Sequence, residues 1–146
     1  MILIDLQKAF DTINHEILLK KMHCFGFSEE VILWFGSYLS QREFKVNINK
    51  TFSEPGAIDC GVPQGSILGP LLFLLYVNDI PQSVECELLL YADDTCLIFQ
   101  HKSIEAIEKK LNEDFANLCD WFVDNKLSIH FGEDKLRQFY LVANTK

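Results

Sequence analysis

Asp93 and Asp94 are adjacent carboxylates set between two strand-prone runs, Leu88-Leu89-Leu90-Tyr91 before them and Thr95-Cys96-Leu97-Ile98-Phe99 after. Apolar, β-prone flanks around a small residue and two acids spell a tight hairpin with carboxylates at its tip. Neighbouring like charges repel, so stability alone does not select them. A hard divalent cation such as Mg²⁺ or Mn²⁺ would remove the conflict, because oxygen donors suit it. Taken by itself the pair reads first as a solvated turn, where Asp is common. A third acid changes that. Asp5 ends the opening run Met1-Ile2-Leu3-Ile4, itself the pattern of a buried strand. If the two strands lie side by side, three carboxylates meet, a set able to hold two ions about 3.5–4 Å apart for in-line phosphoryl transfer.

Composition bounds what such a site could serve. The 146 residues suit one domain with a real core, and 49% hydrophobic with 12% aromatic content argues for a packed globule. The net charge of -8, from 21 acidic and 13 basic side chains, has the wrong sign for a stand-alone nucleic-acid binder. Either the ligand is not nucleic acid, or the basic surface lies on other parts. The five cysteines (Cys24, Cys60, Cys86, Cys96, Cys119) include no CxxC pair, which argues against a zinc site or a disulfide framework and for a reducing compartment. Cys24, Cys96 and Cys119 sit in apolar patterns, where buried thiols are common. No signal peptide is visible, and the apolar run Ile67 to Val77, broken by Gly69-Pro70, is short of a membrane span.

The elements that must position the acids follow in order. After Asp5, Asn14 caps a helix from His15 with Leu18, Met22 and Phe25 inside and Gly26 closing it. Ser28 caps a second helix, with Val31, Phe35, Tyr38 and Leu39 as its inner face. Arg42 to Asn49 alternates like one half-exposed strand with Phe44, Val46 and Ile48 on one side. Arg42, Lys45 and Lys50 form a local basic cluster, by default a solvated face and otherwise a contact for a phosphate backbone. Ala57 to Cys60 reads as a short strand. The loop Gly61-Val62-Pro63-Gln64-Gly65-Ser66 lets the backbone approach something closely, and Ser66 caps a helix to about Asn78, apolar on nearly every side and so expected to be buried. Ser103 starts an amphipathic helix through Ile104, Ile107, Leu111, Phe115, Leu118 and Phe122, with Glu105-Lys109 as an outer i,i+4 pair, and Asp124-Asn125 ends it. Lys126 to Ile129 and Phe139 to Val142 read as strands around the turn Gly132-Glu133-Asp134-Lys135. The order is α+β, with helices on one face of a mainly antiparallel sheet.

Four blocks in this order resemble the palm of reverse transcriptases, most closely those of non-LTR, LINE-like retrotransposons: Leu3-Ile4-Asp5-Leu6-Gln7-Lys8-Ala9-Phe10-Asp11; Gly61 to Ser66 running on through Leu68-Gly69-Pro70; Tyr91-Ala92-Asp93-Asp94; and Asn125-Lys126-Leu127-Ser128-Ile129 with the following lysine. They span nearly the whole chain. The resemblance implies a ferredoxin-like antiparallel sheet and RNA-directed DNA polymerase activity, with two Mg²⁺ or Mn²⁺ ions as cofactors and an RNA template, a DNA primer and dNTP as partners. It implies Asp5 and Asp93 as the persistent metal ligands, Asp94 as the third acid and the Leu6 carbonyl as a backbone ligand. Phe10 takes the place of the gate that disfavours a 2′-hydroxyl; an ordinary core aromatic is the plain alternative. Gln64 and Gly65 correspond to residues lining the nucleotide pocket. Tyr91, Pro63, Arg42 and Lys45 are assigned to primer and template, and Lys135 to protonating the departing pyrophosphate. The last block departs from the family's usual Lys-Thr-Lys, reading Asp134-Lys135-Leu136-Arg137. The blunt start and the acidic balance suggest a partial palm whose fingers and thumb come from flanking sequence, acting inside the cell, in cytoplasm and nucleus.

Two other classes compete. An inactive retroelement remnant, folding or binding without polymerising, would fit the short chain and the altered last block. A nucleotide cyclase shares paired acids on an α+β plan, but the Pro63-Gln64-Gly65 loop with Phe10 is not its pattern.

Overall fold

Alternation and helical spacing resolve into elements over residues 1–129, which the computed structural model describes. In chain order these are β1 (Ile2–Asp5), α1 (His15–Cys24), α2 (Glu29–Leu39), β2 (Arg42–Phe44), β3 (Asn47–Ile48), β4 (Thr51–Phe52), β5 (Gly56–Ile58), α3 (Leu68–Val77), a short 3-10 helix (Ile80–Ser83), β6 (Glu87–Tyr91), β7 (Asp94–Ile98) and α4 (Ile104–Asp124). All the strand ladders are antiparallel, and with four α-helices the class is α+β as expected. Two compact units divide the chain: residues 1–9 with 77 onward, and residues 10–76. The expected strand Phe139–Val142, the turn before it and Lys135 lie outside the described residues.

The first unit is built on a sheet of order β1-β7-β6. Its pleat separates two faces, since successive side chains on a strand point opposite ways. Ile2 and Ile4 of β1 stand opposite Leu97 and Thr95 of β7, and all four are buried. α4 packs on β7 and on the 3-10 helix. Ser103 caps α4 by accepting the Ala106 N–H, and Leu111, Leu118 and Phe122 at i, i+7 and i+11 form the buried stripe. Ile104, expected inside, is exposed at the first turn. The Glu105–Lys109 pair gives way to other partners: Glu105 takes the Ser103 hydroxyl and Lys109 stands 3.9 Å from Glu113. Asn125 ends the helix, buried, with its amide donating to the Trp121 carbonyl. The chain then returns beside β1, where Gln7 N–H donates to Ser128 O and Leu6 bridges Ile129.

In the second unit, Asn14 caps α1 by accepting the Ile17 N–H at 3.1 Å, and Gly26 leaves the helix at φ +84°. Leu18 and Met22 are fully buried, whereas Phe25 is exposed where the helix has ended. On α2 the buried residues are Phe35 and Leu39; Val31 is exposed in the first turn and Tyr38 half-buried, stacked on Trp34. Ser28 sits at the N-cap but its hydroxyl goes to Glu30 rather than to a backbone N–H.

Two expectations fail here for identifiable reasons. Arg42 to Asn49 is not one strand: β2 pairs with β5, while β3 pairs with β4 in a separate short hairpin. The chain changes partner at Lys45-Val46, where Ser53 exchanges bonds with Val46, and Phe44, Val46 and Ile48 are all exposed. α3 is not buried all round either. Leu72, Phe73, Tyr76 and Val77 are buried, but Ile67, Leu71 and Leu74 at i, i+4 and i+7 are exposed along the other side. A uniformly apolar run has no period to show which side is covered. Of the thiols, Cys86 is the buried one, Cys96 and Cys119 are half-buried and Cys24 is exposed, in the last turn of α1; all are free. Among the described residues no helix is long and apolar enough to cross a membrane.

Candidate active site

The open face of the first unit's sheet carries the acids that the sequence singles out. By the pairing register Asp5 stands directly opposite Asp94, and Asp94 directly opposite Tyr91, so the three form one row across β1, β7 and β6. Behind the row the same face continues with Leu3, Cys96 and Leu89, opposite the buried face of Ile2, Ile4, Thr95 and Leu97. Ala92 and Asp93 make the two-residue turn between β6 and β7, and Ala92 adopts φ +52°, a left-handed conformation unusual for a residue with a Cβ. Strain of that kind clusters at functional turns. The register thus joins the opening strand to the hairpin, as the two acid-bearing runs require. It sets Asp94 opposite Asp5, with Asp93 one step beyond the row.

Tyr91 is 83% exposed, Asp94 is exposed, and Asp5 and Asp93 are half-buried. A row of hard oxygen donors at a sheet edge is the donor chemistry for Mg²⁺ or Mn²⁺. Among the described residues no three His, Cys, Asp or Glu side chains already converge at metal-holding distance. The acids match such ions in donor type, and the register sets Asp5 and Asp94 side by side with Asp93 at the adjoining turn. Leu6, next after Asp5, is buried.

A carboxylate of the opposite kind lies behind this face. Asp114 of α4 is 0% exposed and accepts the Glu85 and Cys86 N–H groups at 2.9 and 2.6 Å, fastening the start of β6. Lys110 Nζ stands 3.1 Å from its other oxygen and 2.6 Å from Glu85. The 3.1 Å contact is an ion pair without hydrogen-bond alignment, so Asp114 Oδ1 has no hydrogen bond among the described residues. Burial alone would raise its pKa, but the hydrogen bonds from Cys86 and Glu85 and the Lys110 ammonium beside it outweigh that and hold the carboxyl below the usual range. Burial first, and Asp114 second, push the Cys86 thiol up to about 12. Charged residues in helices usually face water, and nothing in the sequence pattern singles out this one.

The second unit holds the remaining assigned residues around the Gly61–Ser66 loop. Gly61 N–H donates to Ile13 O at 2.7 Å and Val62 N–H to Phe10 O at 2.8 Å, so the loop is stitched to the segment after Phe10. Gly61 has φ +77°, and a Cβ there would lie 2.6 Å from the Asp11 carbonyl oxygen; its close approach is to the protein's own backbone. Gly65 also has positive φ but open space around it. The Gly61 carbonyl accepts from Arg42 at 2.6 Å and lies 2.8 Å from His15 Nε2, while Arg42 also reaches the Cys60 and Leu39 carbonyls. Arg42, assigned to a phosphate backbone, is thus occupied as a brace of the loop, whereas Lys45 is exposed. Ser66 caps α3 through the Gly69 N–H. Pro63 is half-buried and Gln64 exposed, its amide donating to Asp11 Oδ1 at 2.8 Å. Phe10 is half-buried, its ring centroid 4.7 Å from that of Phe73. Asp11 and His15 received no role from the sequence, although Asp11 closes the first block.

Comparison with known proteins gives the family. Residues 1–140 match the family model described as reverse transcriptase (RNA-dependent DNA polymerase). The chain belongs to the reverse transcriptase family. It is 35% identical over 126 residues to the RNA-directed DNA polymerase from mobile element jockey of Drosophila melanogaster, covering 81% of this chain and 14% of that protein. It is 32% identical over 128 residues to a probable RNA-directed DNA polymerase from transposon BS of the same species, covering 82% and 14%. The probable polymerase from transposon X-element, also of that species, matches at 34% over 131 residues, covering 81% and 13%. The resemblance to non-LTR retrotransposon reverse transcriptases is borne out. The chain spans about 14% of the length of the first of these relatives.

Proposed function

We propose that this chain is the catalytic palm of an RNA-directed DNA polymerase that transfers deoxynucleotides to a primer 3′-hydroxyl on an RNA template during retrotransposition, in cytoplasm and nucleus. The observation that carries the reading is the row Asp5–Asp94–Tyr91, joined from distant parts of the described chain by two adjacent strand ladders, with Asp93 at the adjoining turn. Asp5 and Asp93 would hold two divalent ions, with Asp94 and the Leu6 carbonyl as further oxygen donors, and such ions would supply a lowered pKa for an attacking hydroxyl and charge stabilisation for a leaving pyrophosphate. Tyr91, exposed beside Asp94, supports the primer end. Phe10, braced by Phe73, sets its ring against a 2′-hydroxyl and so favours deoxynucleotides. Pro63, Gln64 and Gly65 line the nucleotide and template side, Lys45 meets backbone phosphate, and Lys135 donates the proton to pyrophosphate. Fingers and thumb from flanking sequence supply the grip on RNA and DNA that a segment of net charge -8 lacks.

The test is a chimera in which this chain replaces the matching segment of the jockey polymerase. It should extend a DNA primer on RNA with Mg²⁺, and Asp93→Asn should reduce extension at least about a hundredfold, a loss of about 2.7 kcal/mol of transition-state stabilisation. Extension that survives Asp93→Asn undiminished would remove the hairpin from the mechanism.

A further inference from the structure

The first block ends in an acid that the proposed chemistry does not use. Asp11 is exposed, yet its carboxylate accepts the Gln64 amide N–H at 2.8 Å across 53 positions of chain. Around that contact the backbone is tightly tied. The Asp11 carbonyl accepts the Cys60 thiol at 3.2 Å and leaves no room for a Cβ on Gly61, Gly61 N–H goes to Ile13 O, and Arg42 and His15 hold the Gly61 carbonyl. Both ends of the Asp11–Gln64 bond therefore rest on a fixed frame, which lowers the entropy cost of forming it.

We propose that Asp11 is a positioning residue that fixes which way the Gln64 amide faces. A glutamine amide is nearly symmetric in shape and carries a donor on one side and an acceptor on the other. An ionised carboxylate only accepts, so it admits the NH₂ and turns the oxygen away. Gln64 Oε1 accepts nothing among the described residues. It is thereby presented as an acceptor for a ligand hydroxyl or N–H, with the second amide hydrogen as a companion donor. The inference rests on the polymerase reading for the identity of that ligand, a deoxynucleotide or its template base; the orientation itself does not depend on it.

Two measurements separate the parts. In ¹H–¹⁵N spectra of this chain, the Gln64 side-chain amide pair should shift in Asp11→Asn, whose own amide can pair in either sense, and more so in Asp11→Ala, while the backbone spectrum away from the loop stays unchanged. In the jockey chimera, Asp11→Ala should raise KM for dNTP about three- to tenfold, the scale of one net hydrogen bond, with kcat held. Gln64→Ala should do the same, and the double variant should be no worse than either single one. A Gln64 amide indifferent to Asp11→Asn, or KM effects that multiply in the double variant, would overturn the proposal. Failure of the polymerase reading shows separately, as extension that ignores Asp93→Asn while the amide shift is still seen.

Discussion

Two carboxylate settings in the first unit sit on either side of the same hairpin and differ in almost every physical respect. Asp114 is sealed in, receives two backbone N–H groups and a lysine, and fastens the start of β6. The carboxylates of Asp93 and Asp94, at the far end of that strand, have no hydrogen-bond or ion-pair partner among the described residues. A carboxylate that holds a fold together is surrounded by donors within the protein, because burying it otherwise costs several kcal/mol. A carboxylate kept for a ligand leaves its oxygens uncommitted and is placed by backbone register alone. The contrast predicts that the two kinds separate under substitution, one losing activity with its fold and the other losing activity only.

Asp93→Asn should take away extension as stated above while leaving urea unfolding of the chain within about 0.5 kcal/mol of the original, as for a surface change away from special features. Asp114→Ala should do the reverse in kind. Removing it orphans the Glu85 and Cys86 N–H groups and leaves Lys110 with Glu85 alone, and unfolding should show a loss of about 2–4 kcal/mol. An Asp114→Ala chain as stable as the original would place this acid with the others and dissolve the distinction.

A smaller effect sharpens the same contrast. The Asp114 carboxyl is held below its ordinary range in the fold, so its contribution is present above the unfolded value of about 3.9 and is lost as pH falls through the depressed native one. The stability gap between the original chain and Asp114→Asn should therefore be flat near neutrality and close in acid. A gap that widens in acid would contradict the sign.

Much of this was legible in residue order. The Asn14 and Ser103 caps, the α4 stripe through Leu111, Leu118 and Phe122, and the hairpin around Ala92-Asp93 follow from local chemistry that the sequence writes directly. The pairing of Asp5 with the hairpin was inferred from the chemistry of three acids, and the β1–β7 ladder bears out the side-by-side strands. What escaped depends on partners distant in sequence. Asp114 looks like any outward acid until Glu85 and Cys86 are beside it. Arg42 looks like a free cation until the Cys60 and Gly61 carbonyls fold against it. The run through α3 hid its exposed side because apolar residues occupy every position, and the strand at 42–49 hid its break because alternation persists while the pairing partner changes.

The central claim is that acids from β1 and from the β6–β7 hairpin make one cation site. Paramagnetic Mn²⁺ titrated into the chain at substoichiometric levels reads it most directly. Amide signals near Asp5 and near Asp93-Asp94 should broaden together, and Asp5→Asn should weaken the broadening at the hairpin as much as at β1. Broadening at the hairpin that persists unchanged in Asp5→Asn would contradict the claim.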